Sequence, residues 1–226
     1  MKVLGIITAR SGSKGLPNKN IKLLNGKPMI SYTIQAAKNS GIFDELMVST
    51  DSKEYADISI EYGASVPFLR SKETASDGAS TRDVIIEVIN KYKESGKTFD
   101  FLMILQPTSP LRSSVSIIEA LKTLKEQNAN GVVSVCEVDH SPLWCNVLPK
   151  DKSLRNFLSN DGNHQRQQLE TYYRINGAIY LYKTEYYLEN EDAYNDNVYA
   201  YIMPREESID IDSQLDFDIA EALMNR

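Results

Sequence analysis

Three cations, Arg10, Lys14 and Lys19, fall in the run Ile7-Thr8-Ala9-Arg10-Ser11-Gly12-Ser13-Lys14-Gly15-Leu16-Pro17-Asn18-Lys19-Asn20. A short apolar stretch, residues 3–7, precedes the run and reads as a buried strand. Gly12 and Gly15 let the backbone turn and bring N–H groups close to a ligand. Pro17 stiffens the loop, so that less entropy is lost on binding. A glycine-rich loop with this charge suits a polyphosphate, although Gly/Ser/Lys loops are also common as solvated turns. It is not a Walker loop, because Gly15 follows Lys14 where Ser or Thr is required, and no G-x-G-x-x-G spacing occurs.

A second segment, Ser208-Ile209-Asp210-Ile211-Asp212, alternates apolar and acidic residues. In an extended chain, i and i+2 share a side, so Ile209 and Ile211 face the core and Asp210 and Asp212 project together. Adjacent carboxylates repel unless a cation intervenes or one is protonated. Paired carboxylates with water and substrate phosphates are a cradle for Mg²⁺. The competing reading has Asp212 or Ser213 capping a helix and Asp210 solvated. A third segment, Gln106-Pro107-Thr108-Ser109-Pro110-Leu111-Arg112, is fixed by two prolines. It offers neutral donors and acceptors suited to sugar hydroxyls, and Ser109 or Ser113 is placed to cap the next helix. Arg166, Gln168 and Arg174 sit at the end of an irregular stretch, where an arginine fork binds a carboxylate at two points or else lies on the surface. His140 and His164 have no partner at metal-ligand spacing. The six tyrosines at 172, 173, 180, 182, 186 and 187 read as packing or interface.

These segments need a scaffold, and the first two-thirds of the chain supply a βαβα alternation. Strand-like runs lie at 3–9, 46–49, 65–68, 101–105 and 132–135. Helical runs begin at Pro28 and cover 53–62, 81–93 and 115–124, the third with Val84, Ile85, Val88, Ile89 and Tyr92 at a 3.6-residue period. The pattern predicts a parallel sheet with helices on both faces. Residues 139–174 break it and read as an inserted lobe. Strands at 178–182 and 198–203 and a helix from Asp212 through Leu223 complete the chain. In open α/β sheets ligands lie beyond the carboxyl ends of strands. The polar segments at 10–20, 49–51, 70–81, 106–112 and 204–212 are therefore the candidate site.

The chain has 226 residues, enough for one large domain. Its formal net charge of −6 argues against wholesale binding to nucleic acid or an acidic membrane. Two cysteines, Cys136 and Cys145, match no zinc or redox spacing and fit a reducing cytoplasm. The apolar run behind Met1 is too short for a signal sequence or a membrane span.

Taken together, these residues resemble the acylneuraminate cytidylyltransferases. The likeness rests on residues 9–20, 48–51, 105–112, 166–168, 176–180 and 208–212, in that order and spacing. The 3-deoxy-octulosonate cytidylyltransferases are similar but further away at 105–112 and 166–180. The resemblance implies a Rossmann-like α/β nucleotidyltransferase that joins a sialic acid to CTP with Mg²⁺, as a cytoplasmic homodimer built through the 139–174 arm. Arg10, Lys14 and Lys19 would hold the triphosphate, and Ser13 would join them in the nucleotide loop. Ala9, Asn20, Arg70, Ser80 and Thr81 would lie along the cytidine. Gln106, Arg166 and Gln168 would receive the acid sugar, and Asp210 and Asp212 the metal. Arg10, Lys19 and Asp212 are the candidate catalytic groups. Trp144 stands where some members carry a lysine. Relatives that act on legionaminic or pseudaminic acid are the alternative, and a nucleotide-sugar-binding protein without turnover is the alternative of another class.

Overall fold

The computed structural model describes residues 1–12, 15–76, 78–158 and 169–225. Its main sheet has six strands: β1 (Val3–Thr8), β4 (Glu45–Ser49), β5 (Phe101–Leu105), β6 (Gly131–Glu137), β7 (Tyr173–Lys183) and β8 (Val198–Ile202). They lie in the order β4-β1-β5-β7-β6-β8. β1 pairs in parallel with both β4 and β5, and β6 with β8, whereas β7 runs antiparallel to both its neighbours. The mainly parallel sheet expected from the alternation is present. The reversal of β7 has one consequence for the site: its amino-terminal end joins the carboxyl ends of the other five strands. A small hairpin, β2 (Leu23–Leu24) and β3 (Lys27–Pro28), stands apart.

Adjacent strand residues feed opposite faces. Ile7, Val48 and Leu105 pack under α1 (Met29–Ser40) and α5 (Ser114–Glu126), with Ile30, Ile34, Ile117 and Leu121. Ile6, Met47 and Ile104 pack on the other face under α4 (Thr81–Glu94), against Ile85, Val88 and Tyr92. α4 starts where it does because Ser80 and Asp83 form a reciprocal capping box, each side chain taking the other's backbone N–H. A third cluster gathers Leu16, Leu24 and Met29 against Ile211, Phe217 and Ala220 of α7 (Gln214–Met224) and the segment before it. That cluster brings the first loop and the acidic segment together across nearly the whole chain length. α2 (Lys53–Glu61), α3 (Lys72–Ala75) and α6 (Thr184–Glu189) complete the α-helices of the described residues.

Two expectations about elements need correction. Residues 65–68 are not a strand: Ser65 makes a single bridge to Met47, and Pro67 has no N–H with which to continue the ladder. The strand expected at 178–182 spans Tyr173–Lys183 and takes in the last two residues of the supposed arm. Asn176 and Gly177 lie in an irregularity of this strand, where the β6–β7 register slips between Val133 and Val135. Thus residues 139–172 are the long connection of a β6–β7 hairpin, closed by the Val138 N–H donating to Tyr172 O at 3.0 Å. α3, α6 and the small hairpin were not anticipated.

Candidate active site

The first loop is held by its neighbours rather than by its own sequence. Asp51, just beyond β4, accepts from Ser11 N and Ser11 Oγ, each at 2.7 Å. Burial alone would raise the Asp51 pKa, but the two Ser11 bonds, helped by Arg70, hold it below the usual carboxylate range. Asn20 is buried and its Nδ2 donates to Arg10 O at 3.2 Å, which closes the loop on itself. Arg70 donates through Nε and Nη2 to Ser49, at 3.2 and 2.9 Å, and burial lowers its pKa. Gly15 is a close-approach position: a Cβ there would lie 2.8 Å from Asp212 O.

Lys19, in a 3₁₀ turn (Lys19–Ile21), points away from solvent and donates to Asp212 Oδ1 at 2.8 Å. Asp212 is exposed, with Ile211 buried beneath it, so the expected alternation is present. Ser213, not Asp212, caps α7, through a second capping box with Asp216. Helix capping and a functional Asp212 are therefore compatible. Asp210 is tied in by its neighbours: Ile211 N donates to Thr108 O at 2.8 Å. Burial pushes the Asp210 pKa up and nearby Asp212 adds to this, while Thr108, Lys19 and Arg174 oppose it. Asp210 Oδ1 is buried and has no hydrogen-bond partner. A buried carboxylate oxygen without a donor, beside a second carboxylate two residues on, is the chemistry of a divalent-cation site. Among the described residues no group of three or more His, Cys, Asp or Glu side chains could hold a metal. The remaining ligands of such a cation would be phosphate oxygens and water.

β7 completes this corner. Gly177 has φ +77°, and a Cβ on it would lie 2.7 Å from Gln106 Oε1 and 3.2 Å from Asp210 Oδ2. Neighbouring Asn176 is buried and fully used. Its Oδ1 accepts from Ser134 Oγ and Ala178 N, and its Nδ2 donates to Ser208 Oγ, at 2.6, 3.2 and 2.9 Å. The bond to Ser208 anchors the start of the acidic segment to the sheet.

These pieces enclose a cavity of about 400 Å³. Arg10, Lys19, Asn20, Arg70, Ser80, Thr81, Gln106, Asp210 and Asp212 line it, nine of the residues singled out in the sequence. Ala9 does not: it is fully buried in the core cluster, and its N–H donates to Ser49 O at 2.9 Å. Ser13, Lys14, Arg166 and Gln168 lie outside the described residues. Thr8, Thr74, Ser76, Ala79, Val84, Pro107 and Thr108 also line the cavity. Most of these belong to the 70–81 and 106–112 segments, whose position after strands was the available signal.

A second cavity of about 200 Å³ shares Thr81 and Gln106 with the first and is otherwise walled by Ile104, Ala193 and Tyr180, Tyr182, Tyr187 and Tyr194. Burial raises the Tyr180 and Tyr187 pKa values to about 12, so both hydroxyls stay protonated as donors. Tyr182 OH is buried without a partner. The packing expected of the tyrosine run is present, since Tyr182 and Tyr187 are buried in the second core cluster and the Tyr182 ring contacts those of Tyr186 and Tyr187. The i, i+2 spacing sets Tyr180 and Tyr182 on one face of β7.

A sequence profile of the family described as cytidylyltransferase matches residues 4–224. A CMP-N,N'-diacetyllegionaminic acid synthase from Legionella pneumophila is 37% identical over 99% of this chain and 97% of its own length. An N-acylneuraminate cytidylyltransferase from Streptococcus agalactiae is 39% identical over 96% of this chain, which spans about half (52%) of that protein. A pseudaminic acid cytidylyltransferase from Campylobacter jejuni is 31% identical over 99% of this chain and 96% of its own. Among solved structures, a CMP:2-keto-3-deoxy-manno-octonic acid synthetase has the same fold, with a TM-score of 0.73 at 17% identity over 100% of this chain and 99% of that one.

Proposed function

Because the chain belongs to the cytidylyltransferase family, a family of nucleotidyltransferases, we propose that it activates a sialic acid with CTP. The anomeric hydroxyl of a nine-carbon 2-keto acid sugar attacks the α-phosphate. The bond from that phosphorus to the oxygen bridging to the β-phosphate breaks, giving the CMP-sugar and pyrophosphate. One observation carries this reading. Lys19, Asp210 and Asp212 meet in a cleft lined by Arg10 and Arg70, and that cleft shares Gln106 and Thr81 with a tyrosine-walled cavity.

The transfer is mostly positioning and charge stabilisation. Arg10 and Lys19 neutralise the triphosphate, with Ser13 and Lys14 beside them on the strength of the sequence. Asp51 and Asn20 keep that loop in shape. The cytidine lies along Arg70, Ser80 and Thr81. Ser80 Oγ is already engaged with Asp83, so its part is shape rather than a free hydroxyl. Gln106 holds the acceptor, joined by Arg166 and Gln168 on the resemblance alone. The tyrosine-walled cavity takes the acceptor's substituents, with phenol donors for an acylamino or hydroxyl oxygen. Asp210 and Asp212 would hold Mg²⁺, which would supply positive charge to polarise the α-phosphate or to lower the pKa of the sugar hydroxyl. Residues 139–172 form a dimerisation arm in this reading, supported by the exposure of Val147, Leu148 and Leu154 (87%, 54% and 67%). A cytoplasmic setting goes with consumption of CTP. Among the described residues no helix is long and apolar enough to cross a membrane.

The Legionella relative, matched over nearly its whole length, favours diacetyllegionaminic acid as the second reading. The two are separated by kcat/KM for pyrophosphate release with N-acetylneuraminic, diacetyllegionaminic and pseudaminic acids in parallel, octulosonate serving as control. A preference for the first supports the proposal, a preference for the second replaces it with the alternative, and turnover of octulosonate alone rejects both.

A further inference from the structure

Arg112 is 2% exposed, the one charged side chain among the buried residues described, and the reaction as outlined does not use it. Its Nη1 donates to Gln106 O at 3.2 Å and to Ala178 O at 3.0 Å. Its Nε and Nη2 are buried and have no partner. Burial pushes its pKa down, to about 9, and no acidic neighbour offsets this, so the group is still charged at neutral pH. A buried cation without a carboxylate costs stability. Its position gives that cost a use. The β5–β7 ladder ends at the pair Leu105–Ile179, and the next residue on each strand is the one whose carbonyl Arg112 takes. Beyond lies Gly177, where an added Cβ would meet both Gln106 Oε1 and Asp210 Oδ2.

We propose that Arg112 is the positioning residue of the acceptor half of the site: it fastens the Gln106 loop to β7 where the sheet stops, and its uncompensated charge favours an anionic acceptor there. A lysine cannot reproduce the planar fork, and a glutamine reproduces part of the donor set without charge. The inference rests on the reading of Gln106 as an acceptor contact.

The test compares wild type, Arg112→Gln and Arg112→Lys in the full chain. It measures KM for CTP and for the preferred acid sugar, kcat, and the thermal midpoint, with Gln106→Ala alone and combined with Arg112→Gln as a cycle. The expected result is a folded Arg112→Gln with KM for the acid sugar raised at least tenfold and KM for CTP changed less than threefold. Arg112→Lys recovers part of the loss, and the double variant loses less than the product of the two single losses. Equal shifts in both KM values, wild-type kinetics in Arg112→Gln, no recovery by lysine, or multiplicative losses would each overturn it. So would failure of both Arg112 variants to fold, since the guanidinium would then hold the core and not the site. Absence of turnover by the wild type with any acid sugar rejects the acceptor reading itself, an outcome distinct from all of these.

Discussion

Gly177→Ala isolates the close packing at the end of β7. Two costs follow from the structure. The residue has φ +77°, and an L side chain in that region costs about 1–2 kcal/mol. At about 2–4 °C per kcal/mol for a chain of this size, the thermal midpoint falls by roughly 2–8 °C. The second cost is geometric. The new Cβ would lie 2.7 Å from Gln106 Oε1 and 3.2 Å from Asp210 Oδ2. A relaxed C···O contact is about 3.3 Å, so Gln106 retreats by roughly 0.6 Å and Asp210 by less. Because a misplacement near 1 Å costs about 100-fold, kcat/KM for the acid sugar drops by roughly 10- to 100-fold. CTP affinity changes little, since the contacts proposed for it lie on the β1 and α4 side. Pyrophosphate-release kinetics with each substrate varied, together with a thermal scan, read all three quantities. A variant with the lowered midpoint and kcat/KM within twofold of wild type would refute the claim that Gln106 and Asp210 must keep their present places.

Three other perturbations test separate parts of the site. Asp210→Asn removes a half-buried carboxylate whose Oδ1 has no partner and which Asp212 repels; the thermal midpoint of the free protein rises while turnover falls by orders of magnitude, and a lowered midpoint contradicts this. Asp212→Asn breaks an ion pair whose acidic partner is largely exposed, so stability changes by no more than about 1 kcal/mol, yet turnover in Mg²⁺ falls by orders of magnitude; near-normal activity rejects the metal role. Asp51→Asn weakens the hold on Ser11 and raises KM for CTP more than for the sugar, whereas equal rises would point to a general defect. The folded Asp51 pKa lies below its unfolded value near 4, so its stabilisation is complete above that pH and is lost as pH falls through the folded value. The Asn variant accordingly loses less stability below about pH 4 than wild type does, and parallel acid-unfolding curves would contradict the assignment.

Much of this was legible in the sequence, because the signals were local. The apolar run of β5 and the period of α4 announce a central strand and a packed helix. The alternation around Ile211 places Asp210 and Asp212 correctly. What could not be read is long-range. Nothing near residue 178 says that β7 runs antiparallel between β5 and β6, since a strand's direction depends on how its connection returns. The pairing of Lys19 with Asp212 depends on Leu16 and Leu24 packing on Ile211 and Phe217, contacts between opposite ends of the chain. Gly177 looks like a turn residue until Gln106 and Asp210 are seen against it. Nothing local to Arg112 announces its burial.

The central claim is attack on the α-phosphate of CTP by an acid sugar held at Gln106. The most direct measurement is phosphorus NMR of the wild-type enzyme with CTP, Mg²⁺ and N-acetylneuraminic acid, repeated with diacetyllegionaminic acid. The account predicts that the three CTP resonances give way to pyrophosphate and a single phosphodiester resonance of the CMP-sugar, in equal molar amounts. Orthophosphate with CDP would place the cleavage at the γ-phosphate and contradict it, as would unchanged CTP with both sugars and with pseudaminic acid.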